Sequence, residues 1–193
     1  MTVTVGVLAL QGGFQRHCDA LAHLDHPSRR VSSRLVRTPE DLAGVDSLII
    51  PGGESTTIGM LLERFGLMEP LRGRIRSGMP VMGTCAGTIL LAQTIEGSEQ
   101  PRIGTLPITV QRNAYGRQVA SFEADLRLPE DELPFRAVFI RAPVITRVPS
   151  DVTVLATFED NPVMIRRESI LALTFHPELT GDQRIHRLFL AMS

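Results

Sequence analysis

The chain has 193 residues, of which 43% are hydrophobic and 21% charged, as in an ordinary globular protein that forms one domain over residues 1–193. The formal net charge is −1 and the basic residues, all arginines, form no dense run, which argues against nucleic-acid binding but leaves room for an arginine pocket. Two cysteines are too few for a disulfide scaffold, so we expect a reducing, cytoplasmic compartment. The N-terminal stretch lacks signal-peptide features and no apolar run could span a bilayer, so no membrane association is expected.

The first half of the chain alternates between buried strands and helices. Residues 2–10 form a continuous apolar, β-branched run, typical of a strand buried on both faces, and a glycine pair ends it. Further strands are predicted at 33–37, 46–51 and 80–84, and helices at 14–24, 55–66, 69–78 and 86–95. This alternation predicts a mainly parallel sheet with helices on both faces.

The second half, from about residue 105, changes to successive short strands separated by turns. The predicted strands are 106–113, 117–126, 136–143, 152–160, 162–168 and 170–178, and a helix follows at 182–192. Because short connections favour antiparallel neighbours, we expect antiparallel hairpins added to the parallel sheet.

Cys85 lies between two glycine-containing dipeptides in "GTCAG", where a predicted strand becomes a helix. This is the layout of a nucleophile elbow with sulfur in place of a serine oxygen. The turn sits at the carboxyl edge of the sheet, where α/β proteins bind ligands, and the following helix start favours a thiolate. Although a lone cysteine is usually a small buried residue, this setting favours a nucleophile. Cys18, on an apolar helical face, is interpreted as structural.

The segment "LTFHPEL" offers a base and a residue to orient it. His176 and Glu178 are two residues apart, so in extended chain their side chains would lie on the same side, with Glu178 fixing the imidazole toward Cys85. The other four histidines, His17, His23, His26 and His186, are interpreted as ordinary loop residues. His17, His23 and His26 lack the companions of a metal site.

The glycine corner in "IIPGGEST" would supply donors for an oxyanion at the same sheet edge. The N–H groups of Gly53 and Ala86 are candidates to converge on one oxygen. A phosphate-binding loop is the rival interpretation of this corner. It fails because a Walker motif requires lysine and the chain has none.

These features resemble the class I (triad) glutamine amidotransferases and, within them, the PdxT/SNO family of glutaminase subunits of pyridoxal 5'-phosphate synthase. The segments that carry the resemblance are LALQG (8–12), PGGESTT (51–57), GTCAG (83–87), QRNAYGRQVASFEADL (111–126), VFIRAP (138–143) and FHPELT (175–180). The resemblance implies an α/β, three-layer, flavodoxin-like fold with a mainly parallel central sheet and added antiparallel strands. Residues 25–33, and Thr88 in place of a bulkier apolar residue, depart from the family pattern.

The resemblance also implies roles for individual residues. Cys85 would be the nucleophile, His176 the general base and acid, and Glu178 its orienting partner. Gln11 would lie near the oxyanion site and contact the synthase subunit, which activates the glutaminase. The implied contacts of L-glutamine are Gly53, Glu54, Ser55, Arg112, Ile140 and Arg141.

The reaction implied by the resemblance is hydrolysis of L-glutamine to L-glutamate and ammonia through a cysteinyl thioester. The ammonia would pass to a PdxS/SNZ-type synthase subunit in a hetero-oligomer, because ammonia released into neutral water becomes ammonium, which is not a nucleophile. Pyridoxal phosphate would be a product of the complex, and this chain would need neither cofactor nor metal.

Three alternatives remain at this stage. A glutaminase subunit of another synthase, such as that of the histidine pathway, would keep the triad but should lack the segment 112–126. A thiol peptidase or chaperone of the DJ-1-like group would share the elbow without needing H-x-E. A non-enzymatic scaffold would carry an unused triad and show no glutamine turnover.

Overall fold

The computed structural model describes residues 2–24, 30–112, 121–129 and 131–192, and these contain twelve strands and six α-helices. The strands are β1 (Thr2–Leu8), β2 (Arg30–Val36), β3 (Ser47–Ile50), β4 (Val81–Thr84), β5 (Ala92–Ile95), β6 (Leu106–Gln111), β7 (Ser121–Leu126), β8 (Phe135–Ile140), β9 (Val144–Arg147), β10 (Thr153–Phe158), β11 (Asn161–Arg167) and β12 (Ile170–Leu173). The helices are α1 (Phe14–Ala22), α2 (Pro39–Ala43), α3 (Ser55–Arg64), α4 (Met68–Arg76), α5 (Ala86–Leu91) and α6 (Arg184–Leu190).

The central sheet has seven strands in the order β10-β11-β12-β4-β3-β1-β2. The pairings from β12 across to β2 are parallel, whereas β10–β11 and β11–β12 are antiparallel. All residues of β3, β4 and β12 are buried, which explains why these strands are short apolar runs without alternation. The predicted α/β fold with a mainly parallel central sheet and added antiparallel strands is confirmed.

Two hydrophobic cores lie on opposite faces of this sheet. One contains side chains of α2 to α5 together with strands β5, β6 and β9, and the other contains side chains of α1, α6 and the β7–β8 pair. The second core includes a cluster of aromatic rings, in which Phe139 stacks on Phe122 at 4.6 Å and meets Phe175 at 5.6 Å. The molecule therefore has three layers, and its site-forming loops emerge at one edge of the middle layer.

The predicted antiparallel strands join the central sheet as β10 and β11, whereas the strands before them pair in separate sheets. Strands β5, β6 and β9 form a three-stranded sheet, in which β5 and β6 are parallel and β6 and β9 antiparallel. Among the described strands, β7 pairs with β8 alone, as an antiparallel pair. Alternating burial along β6 and β8 shows that each buries one face against a core. Such strands suit a covering layer better than the middle of the central sheet.

Several element boundaries differ from the sequence-based predictions. The helix predicted at 86–95 ends at Leu91, and Ala92–Ile95 is β5, because a short apolar run does not distinguish helix from strand. Helix α2 and strand β9 were not predicted. The start of α2 carries a capping box between Thr38 and Asp41, with proline at the first position, which is a recognisable start signal. Two sequence-based observations lie partly outside the described residues: the departure from the family pattern at 25–33 and the segment 111–126. His26 lies outside them.

Helix α5 packs unusually closely on β3, and this closeness brings the helix start to the sheet edge. A Cβ atom on Gly87 would lie 2.1 Å from the Ile50 carbonyl oxygen, which is backbone and cannot move aside easily. Glycine at position 87 is therefore required by packing. Within the described part of the chain, no helix combines the length and apolarity needed to span a bilayer.

We expect Gly87→Ala to lower the free energy of unfolding by about 2 kcal/mol, because the new methyl group must push α5 away from β3. Gly73→Ala in α4 is the matched control: nothing lies within 4 Å of its Cβ position. That change should leave stability unchanged or raise it by about 0.5–1 kcal/mol. Urea denaturation of both variants tests this, and equal stabilities would contradict the packing argument.

Candidate active site

Cys85 lies on the turn between β4 and α5 with φ 49° and ψ −103°, a strained conformation for a residue other than glycine. Its N–H donates to the Leu173 carbonyl at 2.8 Å, which ties the turn to the end of β12. The Thr88 hydroxyl donates to the same carbonyl at 2.6 Å and is 3.0 Å from the Gly83 carbonyl. Thr88, a departure from the family pattern, thus ties helix α5 to the ends of both strands.

His176 follows β12 and is held from three directions. Its backbone N–H donates to the Val138 carbonyl at 2.8 Å, and its Nδ1 lies 2.7 Å from Glu178 Oε1. The ring also packs on Gly52, where a Cβ would lie 2.4 Å from Cε1. The expectation of an extended H-x-E segment is wrong: Pro177–Leu179 is a 3-10 turn, started by its proline. The turn still brings carboxylate and imidazole together.

The electrostatics of this pair favour a charged imidazole. Burial would lower the pKa of His176, but hydrogen bonds with the side chains of Cys85 and Glu178 outweigh it and raise that pKa to about 10. Burial would likewise raise the pKa of Glu178, but the hydrogen bond with His176 outweighs it and lowers that pKa. At neutral pH the carboxylate is therefore ionised and the imidazole protonated, and the proton lies next to sulfur.

Cys85, His176 and Glu178 line a cavity of about 470 Å³ at the carboxyl edge of the central sheet. Its lining also includes the other predicted site residues Gln11, Gly53, Glu54, Ser55, Arg112, Ile140 and Arg141. Ala86 is buried at the first position of α5, adjacent to Cys85. Arg141 has a positive φ of 44°, so a second strained residue faces the cavity. Gly13 and Gly52 of the two predicted glycine turns also line it, as do Arg16, Ile89 and Leu179, which sequence reasoning did not single out.

Arg112 is anchored across the cavity by the start of α3. Its guanidinium donates to Glu54 Oε1 at 3.1 Å and to the Thr56 hydroxyl at 3.0 Å, and it also donates to Gln100 Oε1. Gln100 accepts a further bond from the buried Ser55 hydroxyl at 3.3 Å. Gln100 was missed because nothing in its local sequence signals its long-range contact with this group.

Glu54 also caps helix α3 through both of its carboxylate oxygens. Oε1 accepts from the Thr56 N–H at 3.1 Å and Oε2 from the Thr57 N–H at 2.8 Å. Partial burial raises the pKa of Glu54, but these bonds, led by that from Thr57, outweigh it and lower the pKa to about 2. The carboxylate is thus saturated by protein donors and fixes the position of Arg112.

The glycine corner after β3 is tied to the loop after β1. The Gly13 N–H donates to the Gly52 carbonyl at 2.9 Å, and Gln11 Oε1 accepts from the Glu54 N–H at 2.8 Å. The Gly52 carbonyl therefore points toward the β1 loop. Gln11, which lines the cavity, is a mechanical link between the two loops.

Two histidines expected to be loop residues are instead part of the interior. His17 is fully buried in α1 and His186 is buried in α6. Their burial comes from packing between helices that are distant in sequence, which a local pattern does not reveal. Cys18 is half-buried against the second core, as its helical position indicated. Among the described residues, no group of three or more histidine, cysteine or acidic side chains is arranged to hold a metal ion.

Comparison with known proteins identifies the relatives of this chain. The family model described as the SNO glutamine amidotransferase family matches residues 7–193. A protein from Carboxydothermus hydrogenoformans named pyridoxal 5'-phosphate synthase subunit PdxT is 58% identical over 96% of this chain and 95% of its own. A protein of the same name from Pelotomaculum thermopropionicum is 57% identical over 96% and 93%. A crystal structure titled glutamine amidotransferase is 50% identical, covers 97% of both chains and superposes with a TM-score of 0.90.

The charged state of His176 can be measured directly. In an NMR titration of the imidazole ring, we expect a pKa near 10 in the unaltered chain. Glu178→Gln should lower this value, because it removes the negative charge that stabilises the imidazolium, and Cys85→Ala should also lower it. A His176 pKa near 6.5 in the unaltered chain, unchanged in both variants, would contradict the proposed electrostatics.

Proposed function

Because the chain belongs to the SNO glutamine amidotransferase family, we propose that it is the glutaminase subunit of pyridoxal 5'-phosphate synthase. It hydrolyses L-glutamine to L-glutamate and ammonia. The observation that carries this proposal is the 2.7 Å contact of His176 Nδ1 with Glu178 Oε1 in the cavity that contains Cys85. This arrangement supplies a nucleophile, a proton carrier and an orienting carboxylate.

In the proposed mechanism the Cys85 thiolate attacks the side-chain amide carbon of glutamine. The C–N bond breaks as His176 donates its proton to the leaving nitrogen, which departs as ammonia and leaves a γ-glutamyl thioester. His176, now neutral, takes a proton from water, and the resulting hydroxide equivalent cleaves the thioester to release glutamate. Glu178 holds the imidazole in one orientation throughout.

The oxyanion of each tetrahedral intermediate is assigned to the N–H groups of Gly53 and Ala86. Ala86 follows the nucleophile at the start of α5, the position of an elbow donor. The Gly53 donor depends on the Gly52–Gly53 peptide, whose Gly52 carbonyl is bonded to Gly13. We assign Gln11 the role of coupling this peptide to the docked synthase subunit, because it bridges the two loops involved.

The glutamine pocket is assigned to Gly53, Glu54, Ser55, Arg112, Ile140 and Arg141, all of which line the cavity. An amino acid carries a carboxylate that suits an arginine fork. Arg112 is suited to this because Glu54 and Gln100 already fix its orientation. Glu54 acts mainly through Arg112, since its own oxygens accept bonds from α3.

The partner assigned to this subunit is the synthase subunit that consumes its ammonia, in a cytoplasmic hetero-oligomer, and residues 1–193 act as one glutaminase domain. Two rival interpretations are disfavoured. The family match opposes a DJ-1-like protein, and relatives named as pyridoxal 5'-phosphate synthase subunits oppose a glutaminase of another synthase. The third alternative, a non-enzymatic scaffold, is tested by measuring glutamine turnover.

We expect Cys85→Ala to reduce glutaminase turnover in the complex with the synthase subunit by at least roughly a thousandfold, because the covalent route is lost. Cys18→Ala is the matched control, since it removes the other thiol from helix α1, away from the cavity. It should retain turnover. The assay is ammonia release from L-glutamine, with and without the synthase subunit.

Two results would overturn the proposal. Equal turnover by unaltered chain and Cys85→Ala would remove Cys85 as the nucleophile. No turnover by the unaltered chain in the presence of a folded synthase subunit would instead support a scaffold.

We expect Arg112→Gln to raise KM for L-glutamine by about tenfold to a hundredfold, the usual size of a lost charged hydrogen bond to a carboxylate. Arg136→Gln is the control, because Arg136 on β8 forms comparable surface ion pairs with Glu123 and Asp125, both on β7. It should leave KM unchanged. Steady-state kinetics in the complex measures both, and an unchanged KM for Arg112→Gln would exclude Arg112 from the pocket.

A further inference from the structure

Next to Glu178 lies a row of buried polar side chains that the proposed mechanism does not use: Thr84, His17 and His186. His17 Nε2 is 3.4 Å from Glu178 Oε2 and 3.3 Å from the Thr84 hydroxyl. On its other side, His17 Nδ1 is 3.2 Å from His186 Nε2. His17 is fully buried and His186 is 1% exposed, so both rings are largely shielded from bulk water.

One carboxylate oxygen of Glu178, Oε2, receives no hydrogen bond from the other two proposed catalytic residues. Oε1 is bonded to His176, whereas Oε2 is buried and has no hydrogen-bond partner of good geometry in the part of the chain that the structure describes. The His17 imidazole faces this oxygen, with Nε2 at 3.4 Å, as an electrostatic neighbour. A buried carboxylate oxygen without a facing donor is strongly destabilised, so the orientation of His17 matters.

His17 and His186 are both neutral at physiological pH. Burial lowers the pKa of His17, and burial likewise lowers the pKa of His186 to about 4. A neutral imidazole has one N–H donor and one bare nitrogen. The two rings can therefore be ordered in only two ways along the 3.2 Å contact between them.

The carboxylate of Glu178 selects one of these two orders. With the proton on His17 Nε2, an N–H faces Glu178, His17 Nδ1 accepts from His186 Nε2, and the unpartnered His186 Nδ1 is a bare nitrogen. In the reverse order, the Nε2 lone pair would accept from the Thr84 hydroxyl but would also face the Glu178 carboxylate, and a buried N–H of His186 would have no acceptor among the described residues. The first order avoids both penalties.

We propose that His17 is a positioning residue of the glutaminase, whose Nε2–H faces Glu178 Oε2 and holds the carboxylate in place for His176, with His186 fixing the His17 tautomer. The inference rests on the proposed catalytic roles of Cys85, His176 and Glu178. His17 does not line the cavity, so it contributes to turnover without contacting glutamine. Helices α1 and α6 thereby become part of the support of the site.

The test uses two amide substitutions of similar polarity. His17→Gln places an amide nitrogen near the position of Nε2 and keeps a donor toward Glu178, whereas His17→Asn places it near Nδ1 and loses that donor. In the complex with the synthase subunit, we expect His17→Asn to lower kcat roughly tenfold with KM unchanged, and His17→Gln to stay within about twofold. Ser47→Ala, which removes an unpartnered buried hydroxyl from β3, controls for a general loss of core polarity.

A double-mutant cycle separates positioning from simple structural damage. If His17 acts through Glu178, adding His17→Asn to Glu178→Gln should cause little further loss of kcat, whereas structural damage would add its full effect. The proposal is overturned if both amide variants lose kcat equally, if both retain it, or if the effects are additive. Thermal unfolding of each variant shows whether equal losses come from unfolding.

Failure of this inference can be distinguished from failure of the proposed function on which it rests. Retained turnover in Cys85→Ala would remove the catalytic assignment whatever the His17 variants do. Loss of turnover in Cys85→Ala combined with unchanged kcat in His17→Asn would remove only the positioning role.

Discussion

The parallel pairing of β4 with β12 is the constraint on which the site depends. In this register Thr84 is opposite Leu173, so the chain leaves the two strands at the same edge, and the Cys85 N–H bonds to the Leu173 carbonyl. Cys85, the proposed nucleophile, therefore follows β4, and His176, the proposed base, follows β12. A slip of one residue would turn every side chain of a strand to the opposite face, and burial of all residues on both strands opposes it. The placement of Cys85 and His176 at one sheet edge is therefore a consequence of core packing.

Of the five non-glycine residues with positive φ in the described part of the chain, two lie where this edge meets the cavity. Cys85 and Arg141 both adopt positive φ, and each such residue costs of order 1–3 kcal/mol. At Cys85 the cost is offset by the packing beneath, because every residue of β4 and of α5, on either side of it, is buried. Arg141 lies between β8, which buries one face, and β9. The turn with positive φ leaves Cys85 in the lining of the cavity.

The parts of this structure that sequence could predict are those with local causes. Glycine and proline turns located the carboxyl-edge corners around Gly52 and Cys85, and apolar runs located the central strands. The end of α5 at Leu91 was missed because the next strand is equally apolar and its direction is set by pairing with β6. His17 was missed for a similar reason: its burial is created by α6, which lies about 170 residues away along the chain. Long-range packing, not local pattern, decides both.

The glycine corner connects substrate binding to the β1 loop. Gly52 is in contact with the His176 ring on one side, and its carbonyl accepts from Gly13 on the other. A rotation of the Gly52–Gly53 peptide would break the bond to Gly13 and reposition the Gly53 N–H relative to the cavity. Gln11, bonded to the Glu54 N–H, spans the same two loops, so a partner that moves Gln11 acts on this peptide and on the anchor of Arg112 together. With the roles proposed above, one contact couples the oxyanion site to the pocket for glutamine, which is the coupling that a glutaminase needs if it is to release ammonia only when a synthase is docked.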